Sequence, residues 1–486
     1  MVQLNRAKSS LLKGAKLAGV DFLQLDPAHA GPRGLTAWLT EQLRVGIADG
    51  RLPVGARLPA TRELAAELEV SRGVVTDAYQ RLVEEGRIAG RRGGGTTVMS
   101  IPTPSARAAE PPRSARTVAS LDLSPGIPDL GAFPRAAWLR AERAVLNEAT
   151  PGDLGYGDPR GTPALRTSLA VWLARTRGVH AAADDVLIVN GVAQGLALLA
   201  RVLMRHGIDA VATEDPGALG TREQLTNWGM ATPPVPVDQH GLNIDRLRDT
   251  NTRAVLVTPA HQFPTGVVLG PQRRRELLAW SADGALIIED DYDAEHRYDR
   301  PPVPALQGLA PERVIHTGSL SKTLAPALRI GWLIAPARLR DQLVQAKRQS
   351  DLASPGLPQL AMARLIDTGE FERHLRLVRR RQRRRRDAMV QALTSRLPTA
   401  RVHGVAAGLH LLVTLDEDLN DADLAAHLLD IGIKVHPLSW HRQLPGPPGL
   451  VLGYAAATPA DVTNAVQRIS ANLSSVTRRT SSGPHE

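Results

Sequence analysis

The chain has 486 residues, more than one ordinary domain of roughly 100–200 residues holds, so two or three folded units are expected. Hydrophobic residues at 43% and charged residues at 22% exclude a fibrous repeat and wholesale disorder, and the lack of any cysteine excludes disulfides, thiolate metal sites and cysteine nucleophiles. The formal charge of +10 is unevenly spread: residues 1–116 net about +6, Arg373 to Arg386 add nine arginines, and the remainder is mildly acidic.

The N-terminal stretch lacks the continuous apolar run of a signal peptide, and no segment approaches the ~20 apolar residues of a membrane span. A cytoplasmic protein with no membrane partner is expected. Residues 1–34, broken by Pro27, Gly31, Pro32 and Gly34, read as an N-terminal extension. Leu39, Leu43 and Ile47, four apart, predict a helix over Thr36–Asp49. Further helices are predicted at Thr61–Leu68 and at Ser71–Glu85, with Ser71 as N-cap, and Gly93 to Gly95 turn the chain between strands at Ile88-Ala89 and Thr97-Val98.

Two helices joined by the tight Glu69-Val70 turn have the proportions of a helix-turn-helix, with Leu64, Leu68, Val75, Ala78 and Leu82 as its core. Arg62, Ser71, Arg72 and the Arg91-Arg92 pair are left for the surface. A recognition helix offers its N-terminal residues to base edges, and arginine makes bidentate contacts with guanine. A module for protein contacts is the competing reading. The stretch GRLPVGARLPATRELAAELEVSRGVVTDAYQRLVEEGRIAGRRGGGTTV resembles the winged helix-turn-helix of the GntR family of bacterial regulators. That resemblance implies double-stranded DNA as partner, contacts from Arg62, Ser71, Arg72 and Thr76, and Arg92 and Gly93 in the wing. Thr76 stands where some relatives carry arginine.

Residues 99–120, rich in Pro, Ser, Ala and Arg, predict a linker. Beyond it, apolar runs at Val186–Val189, Ala210–Ala212, Ala254–Val257 and Ala285–Ile288 alternate with helical stretches, the rhythm of an α/β domain with a mostly parallel sheet. Three features within this part point to one chemistry. In TGSLSKTLAPALRIGW, Lys322 lies among Ser319, Ser321 and Thr323, with Arg329 following; a lysine that forms a Schiff base needs a partly desolvated setting, and Ser with Arg suits a phosphate. Asp290 and Tyr292, at the end of an apolar strand, suit a pyridine nitrogen and a phenolic oxygen. Asn190-Gly191-Val192-Ala193 leads a strand into a helix start, where free N–H groups bind anions. Each alone is equally a solvated loop lysine, a capped strand or an ordinary turn; their order in one chain is the specific signal.

The ordered set resembles fold type I pyridoxal 5′-phosphate enzymes, the aspartate aminotransferase family, and with the head it is similar to the MocR/GabR-type branch of GntR regulators over roughly residues 35–470. The resemblance implies a winged helix at 35–98, a linker at 99–120, an aminotransferase-like domain at 121–475 with a small C-terminal α/β part, and a flexible tail at 476–486. It further implies Lys322 as the Schiff-base lysine, Asp290 at the pyridine nitrogen and Tyr292 at the phenolic oxygen. Ser319 and Arg329 would hold the phosphate beside the amides of Gly191, Val192 and Ala193, and Tyr156 would reach it across the interface of an obligate homodimer. The family's Asn-Pro-x-Gly loop is here Phe263-Pro264-Thr265-Gly266, Ala218 replaces a frequent aromatic, and Leu450 sits where aminotransferases keep a carboxylate-binding arginine, with Arg442 as a candidate substitute. These losses put amino-acid turnover in doubt.

The function implied is a nucleoid-associated transcriptional regulator that binds pyridoxal phosphate, alone or with an amine or amino-acid effector, and controls vitamin B6 or amino-compound metabolism. An active aminotransferase with an appended DNA-binding head is the alternative, and a vestigial cofactor site a third. The arginine run reads as a solvated helix face, with a supplementary DNA track as its rival. His436 and His441 lack the spacing of a helical metal pair, and no metal site is expected.

Overall fold

The structure, a computed structural model, describes residues 25–30, 34–91, 95–99, 119–404, 407–415 and 419–480. The chain divides into two units, 1–116 and 117–486. In the first, α1 (Leu35–Ala48), α2 (Thr61–Glu67) and α3 (Arg72–Glu84) pack beside a small antiparallel sheet, β1 (Arg57–Leu58), β2 (Ile88–Arg91) and β3 (Gly95–Val98), in the order β1-β3-β2. The four-residue spacing of Leu39, Leu43 and Ile47 buries one stripe of α1 against Leu64, Val75, Ala78 and Leu82, as the sequence predicts. Tyr79 joins this core and donates its hydroxyl to the carbonyl of Pro59 at 2.9 Å, which ties α3 to the turn before α2. Ser71 occupies the N-cap position of α3, yet its side chain makes no capping bond.

The second unit runs β4 (Leu121–Asp122), α4 (Arg135–Glu148), α5 (Pro163–Arg177), β5 (Val186–Val189), α6 (Val192–Arg205), β6 (Ala212–Asp215), α7 (Leu219–Asn227), β7 (Pro234–Asp238), β8 (Gly241–Leu242), α8 (Ile244–Asp249), β9 (Ala254–Val257), α9 (Pro271–Trp280), β10 (Leu286–Asp290), β11 (Val314–Ser319), β12 (Gly331–Ile334) and α10 (Ala337–Asp351). There follow α11 (Gly356–Asp367), α12 (Glu370–Arg396), β13 (Arg401–His403), β14 (His410–Thr414), α13 (Asp421–Asp430), β15 (Ile433–Lys434), β16 (His436–Pro437), β17 (Gly449–Gly453) and α14 (Pro459–Thr480). The last helix thus passes the boundary at 475 suggested by the sequence.

Eight strands form the main sheet in the order β5-β12-β11-β10-β9-β6-β7-β8. The four pairings from β11 to β7 are parallel, whereas β12 lies antiparallel between β5 and β11. Apolar side chains on both faces, with helices packed over them, give the fully buried strands β5, β9 and β12. Two strands extend beyond their predicted apolar runs. Glu214 and Asp215 continue β6, and Glu289 and Asp290 continue β10, because their carboxylates find hydrogen-bond partners inside the fold. A second sheet, β13-β14-β17-β16, packs against α12, α13 and α14 around Leu393, Leu411, Tyr454 and Val466.

Candidate functional site

Sheet topology gathers the site. The carboxyl ends of β5, β10 and β11 lie along one edge, where ligands of open α/β sheets bind. Because β12 runs the other way, its first residue, Gly331, pairs with both Val189 and Ser319, so Arg329 comes to the same edge as Asn190, Asp290 and Ser319. Arg329 adopts φ 53°, and its guanidinium donates to the carbonyl of Asn190. Gly191 begins α6 at φ 77°, and a Cβ there would stand 3.1 Å from that guanidinium. From the opposite side, β4 pairs with β15 and carries the chain on to Gly126, whose carbonyl accepts a 2.7 Å bond from Lys322 Nζ.

The result is a cleft of about 410 Å³ lined by Gly126, Gly191, Val192, Ala193, Asp290, Tyr292, Ser319, Ser321, Lys322 and Arg329 together with other residues of the same unit. Every cofactor residue expected from the sequence except Tyr156 is therefore on its wall. Tyr156 is 84% exposed in a loop that does not line the cleft of its own chain. Burial lowers the Lys322 amine below its usual value, against the opposing pull of Asp290 and Asp293, and so favours the neutral nucleophile. Burial first, then the charge of Asp291, raises the Asp290 carboxyl to about 7; Thr317 donates to it at 3.4 Å. Tyr292, raised well above its usual value by burial and then by Asp293, shares Nδ1 of His261 at 3.0 Å with Asp293 at 2.8 Å.

These residues fit pyridoxal 5′-phosphate. A cluster of N–H donors at the start of a 14-residue helix, with Arg329 and two serines, suits a phosphate. Glycine at 191 and at 126 leaves room that a side chain would fill: a Cβ at Gly126 would stand 2.8 Å from Lys322 Nζ. Behind the wall, Asp291 is clamped by Arg177 at 2.6 and 3.0 Å and by His316 at 3.2 Å.

One expectation needs correction. Arg442 does not line the cleft: its guanidinium packs where a side chain on Gly446 would be, and Leu450 is buried in β17 between Val413 and Pro437. Arg329 lies on the cleft wall, and Arg222 lines the adjoining hollow that shares Ala218, Thr221, Thr258, Phe263 and Asp290 with it. His436 and His441, from which the sequence suggested no metal site, both line the cleft. No sequence signal foretold it, since a loop folding back onto β6 and α7 places them.

In the first unit Arg62, Ser71, Arg72 and Thr76 are all exposed, on the outer side of α2 and at the start of α3. Thr76 donates its hydroxyl to the carbonyl of Arg72 at 2.9 Å. Arg92 and Gly93 lie outside the described residues. The arginine run lies on α12 and is divided in its use. Arg381 and Arg385 grip Asp129 at 3.2 and 2.8 Å and Arg379 donates to the carbonyl of Glu295, while Arg380, Arg383 and Arg384 are exposed.

Comparison with known proteins follows the same division. Residues 35–98 match the model of the bacterial regulatory proteins of the gntR family, and residues 119–469 match that of aminotransferase class I and II. The chain is 33% identical over 456 residues to the probable rhizopine catabolism regulatory protein MocR of Rhizobium meliloti, covering 89% of this chain and 92% of that one. It is 34% identical over 420 residues to the HTH-type pyridoxine biosynthesis transcriptional regulator PdxR of Corynebacterium glutamicum, covering 83% and 89%. Among solved structures it resembles LysN, the alpha-aminoadipate aminotransferase of Thermus thermophilus, complexed with N-(5′-phosphopyridoxyl)-L-leucine: TM-score 0.68, 27% identity, 74% of this chain and 93% of that one.

Proposed function

The chain belongs to the GntR-family regulators whose larger part is an aminotransferase class I and II domain, and from that premise we propose that it is a DNA-binding transcriptional regulator governed by pyridoxal 5′-phosphate and an amino compound. The observation that carries this reading is the convergence of Lys322, Asp290, Tyr292, Ser319 and Arg329 on one cleft in a chain that also carries an exposed helix-turn-helix. Ser319, Arg329 and the N–H groups of Val192 and Ala193 would hold the phosphate beside Gly191, whose own N–H donates to the carbonyl of Val189 at 2.8 Å, with Asp290 at the ring nitrogen and Tyr292 at the phenolic oxygen. When bound, the cofactor supplies an aldehyde that condenses reversibly with primary amines. Burial lowers the Lys322 amine, and the carbonyl of Gly126, which accepts from it at 2.7 Å, would orient it in the cleft.

Arg62, Ser71, Arg72 and Thr76, all exposed at one helix pair, would meet DNA. A homodimer agrees with exposed Leu139 and Leu146 on α4 and with Leu154 and Tyr156 beyond it, apolar surface of the kind that marks interfaces; Tyr156 would then serve the neighbouring chain's cleft. No helix among the described residues is long and apolar enough to cross a membrane, and a cytoplasmic, nucleoid-associated protein is the reading that suits a DNA partner. Turnover as an aminotransferase is the second reading, favoured by the intact Lys322 and Asp290.

The deciding experiment is a DNA-binding titration on the promoter upstream of the protein's own gene, with and without pyridoxal phosphate and candidate amines. Occupancy should change several-fold with the cofactor, and Lys322→Ala should abolish both that change and the absorbance band that the cofactor develops on the protein. Occupancy indifferent to every addition would refute the regulator reading, and steady turnover of an amino acid at ~1 s⁻¹ or above would favour the enzyme.

A further inference from the structure

The turn that leads β5 into α6 is held at both of its ends. Asn190, just before Gly191, donates its side-chain amide to Asp351 at 3.0 Å, and Gln194, just after Ala193, donates its own to the same carboxylate oxygen at 2.7 Å. The two flanking residues are also joined to each other, because the backbone N–H of Asn190 donates to Gln194 Oε1 at 2.8 Å. Between them stand Gly191, Val192 and Ala193, all on the cleft wall. The carbonyl of Asn190 accepts from the Arg329 guanidinium, so that arginine takes its place from the same residue.

Asp351 closes α10, and its charge is answered from within that helix. Lys347, one turn earlier and fully buried, reaches the two carboxylate oxygens at 3.0 and 2.9 Å, Ser354 Oγ at 2.9 Å and Gln194 Oε1 at 3.3 Å. All three protons of an ammonium therefore have acceptors. Burial lowers the Lys347 amine and Asp351 opposes that. The contacts also fix how the Gln194 amide is turned: its oxygen meets two donors and its nitrogen a carboxylate, and the reverse would set like against like. A polar network with its members paired holds one geometry. Asn190, Gln194, Lys347 and Asp351 are not themselves on the cleft wall, so the network reaches the cleft through the turn and Arg329.

We infer that Asp351, neutralised by Lys347, is the positioning residue for the phosphate end of the cleft: through Asn190 and Gln194 it holds the N–H groups of Val192 and Ala193 and the Arg329 guanidinium at one spacing, and so makes the cleft select the phosphorylated cofactor over its phosphate-free form. This deepens the cofactor reading of the cleft and rests on it. A lone carboxylate bonded to the flanks of an anion-binding turn would repel the anion. With Lys347 beside it the pair is neutral, and the two amides pass on its hold without its charge.

Pyridoxal phosphate and pyridoxal share the aldehyde, the ring nitrogen and the phenolic oxygen and differ in the phosphate, so the ratio of their affinities reads the phosphate end alone. Each is titrated into the full-length protein and followed by the absorbance band it develops. The wild type should bind pyridoxal phosphate at least about tenfold tighter than pyridoxal. Asp351→Ala and Gln194→Ala should each weaken pyridoxal phosphate about tenfold and pyridoxal about threefold or less. Gln194→Ala places the best helix former in the first turn of α6, and it serves where Asp351→Ala, which leaves Lys347 without its carboxylate, does not fold. An unchanged ratio in a folded Gln194→Ala protein, or a loss equal for the two compounds, overturns the inference and leaves the cofactor reading standing. A wild type that develops no band with either compound, or binds both equally well, overturns the reading of the cleft as a phosphate-holding cofactor site and the inference with it.

Discussion

Gly191 has a backbone at φ 77° and a guanidinium 3.1 Å from where its Cβ would be. Both constraints act on the turn whose N–H groups face the cleft, so Gly191→Ala should strain that turn and displace Arg329 while leaving the helix-turn-helix untouched. The expected result is cofactor binding weakened about tenfold or more with DNA binding by the cofactor-free protein unchanged, read from the absorbance band and a mobility shift; equal cofactor affinity would show that neither constraint matters. Asp290 gives a pH test. Its folded-state value of about 7 lies above that of an exposed carboxyl because of burial and then the Asp291 charge. A raised carboxyl contributes stability that is complete below its unfolded value and is lost as pH rises through about 7. Asp290→Asn cannot ionise, so between about pH 5 and pH 8 the cofactor-free variant should lose less stability than the wild type, by about 2–3 kcal/mol, in urea denaturation. Parallel curves would mean that Asp290 is already ionised at the lower pH.

Between elements, the Arg177, Asp291 and His316 cluster fastens the end of α5 to the residue after β10 and to the middle of β11, next to Asp290 in the chain. Burial alone would raise Asp291, but Arg177 and His316 outweigh it and hold the carboxyl below its usual range. Arg177→Met leaves that charge buried with only a histidine beside it, which should cost about 3–5 kcal/mol of unfolding free energy; a loss under about 1 kcal/mol would mean the pair is dispensable. None of this was legible in the sequence, because Arg177 and Asp291 lie 114 residues apart. What was legible is the kind of order that local pattern carries. The spacing along α1, the apolar runs of β5 and β9, and the short segments around Gly191, Asp290 and Lys322 to Arg329 are each local. An antiparallel β12 was not, since a buried apolar run reads the same in either direction. The arginines of α12 show the same limit. Arg385 is 11% exposed at its side chain, and its partner Asp129 lies far back in the chain at 6%. Reversing the charge of Arg380, Arg383 and Arg384, which are exposed, should leave the salt slope of DNA binding unchanged; a slope reduced by several units would make them phosphate contacts.

At the scale of the whole molecule, a winged head with its own core and a cofactor-type cleft in a separate unit are useful to each other only through a coupling free energy. Such coupling is reciprocal: whatever factor the amino compound and cofactor apply to DNA affinity, DNA must apply to theirs. Typical couplings of ~1–3 kcal/mol amount to roughly 5–150-fold. The same pair of states must therefore be visible from both ends. Titrating cofactor-loaded protein with an effective amine, with and without saturating operator DNA, should change the amine's Kd by the factor by which the amine changes the operator's Kd. The variants separate the contributions. Lys322→Ala should bring both factors to one without altering the head, and Arg72→Ala should weaken DNA binding while leaving the amine's Kd in the absence of DNA as it was. Two unequal factors in the wild type would violate linkage for a simple pair of ligands and point to a change of assembly on DNA. That outcome is itself decidable, because a protein that dimerises on its operator would show an amine affinity that depends on protein concentration.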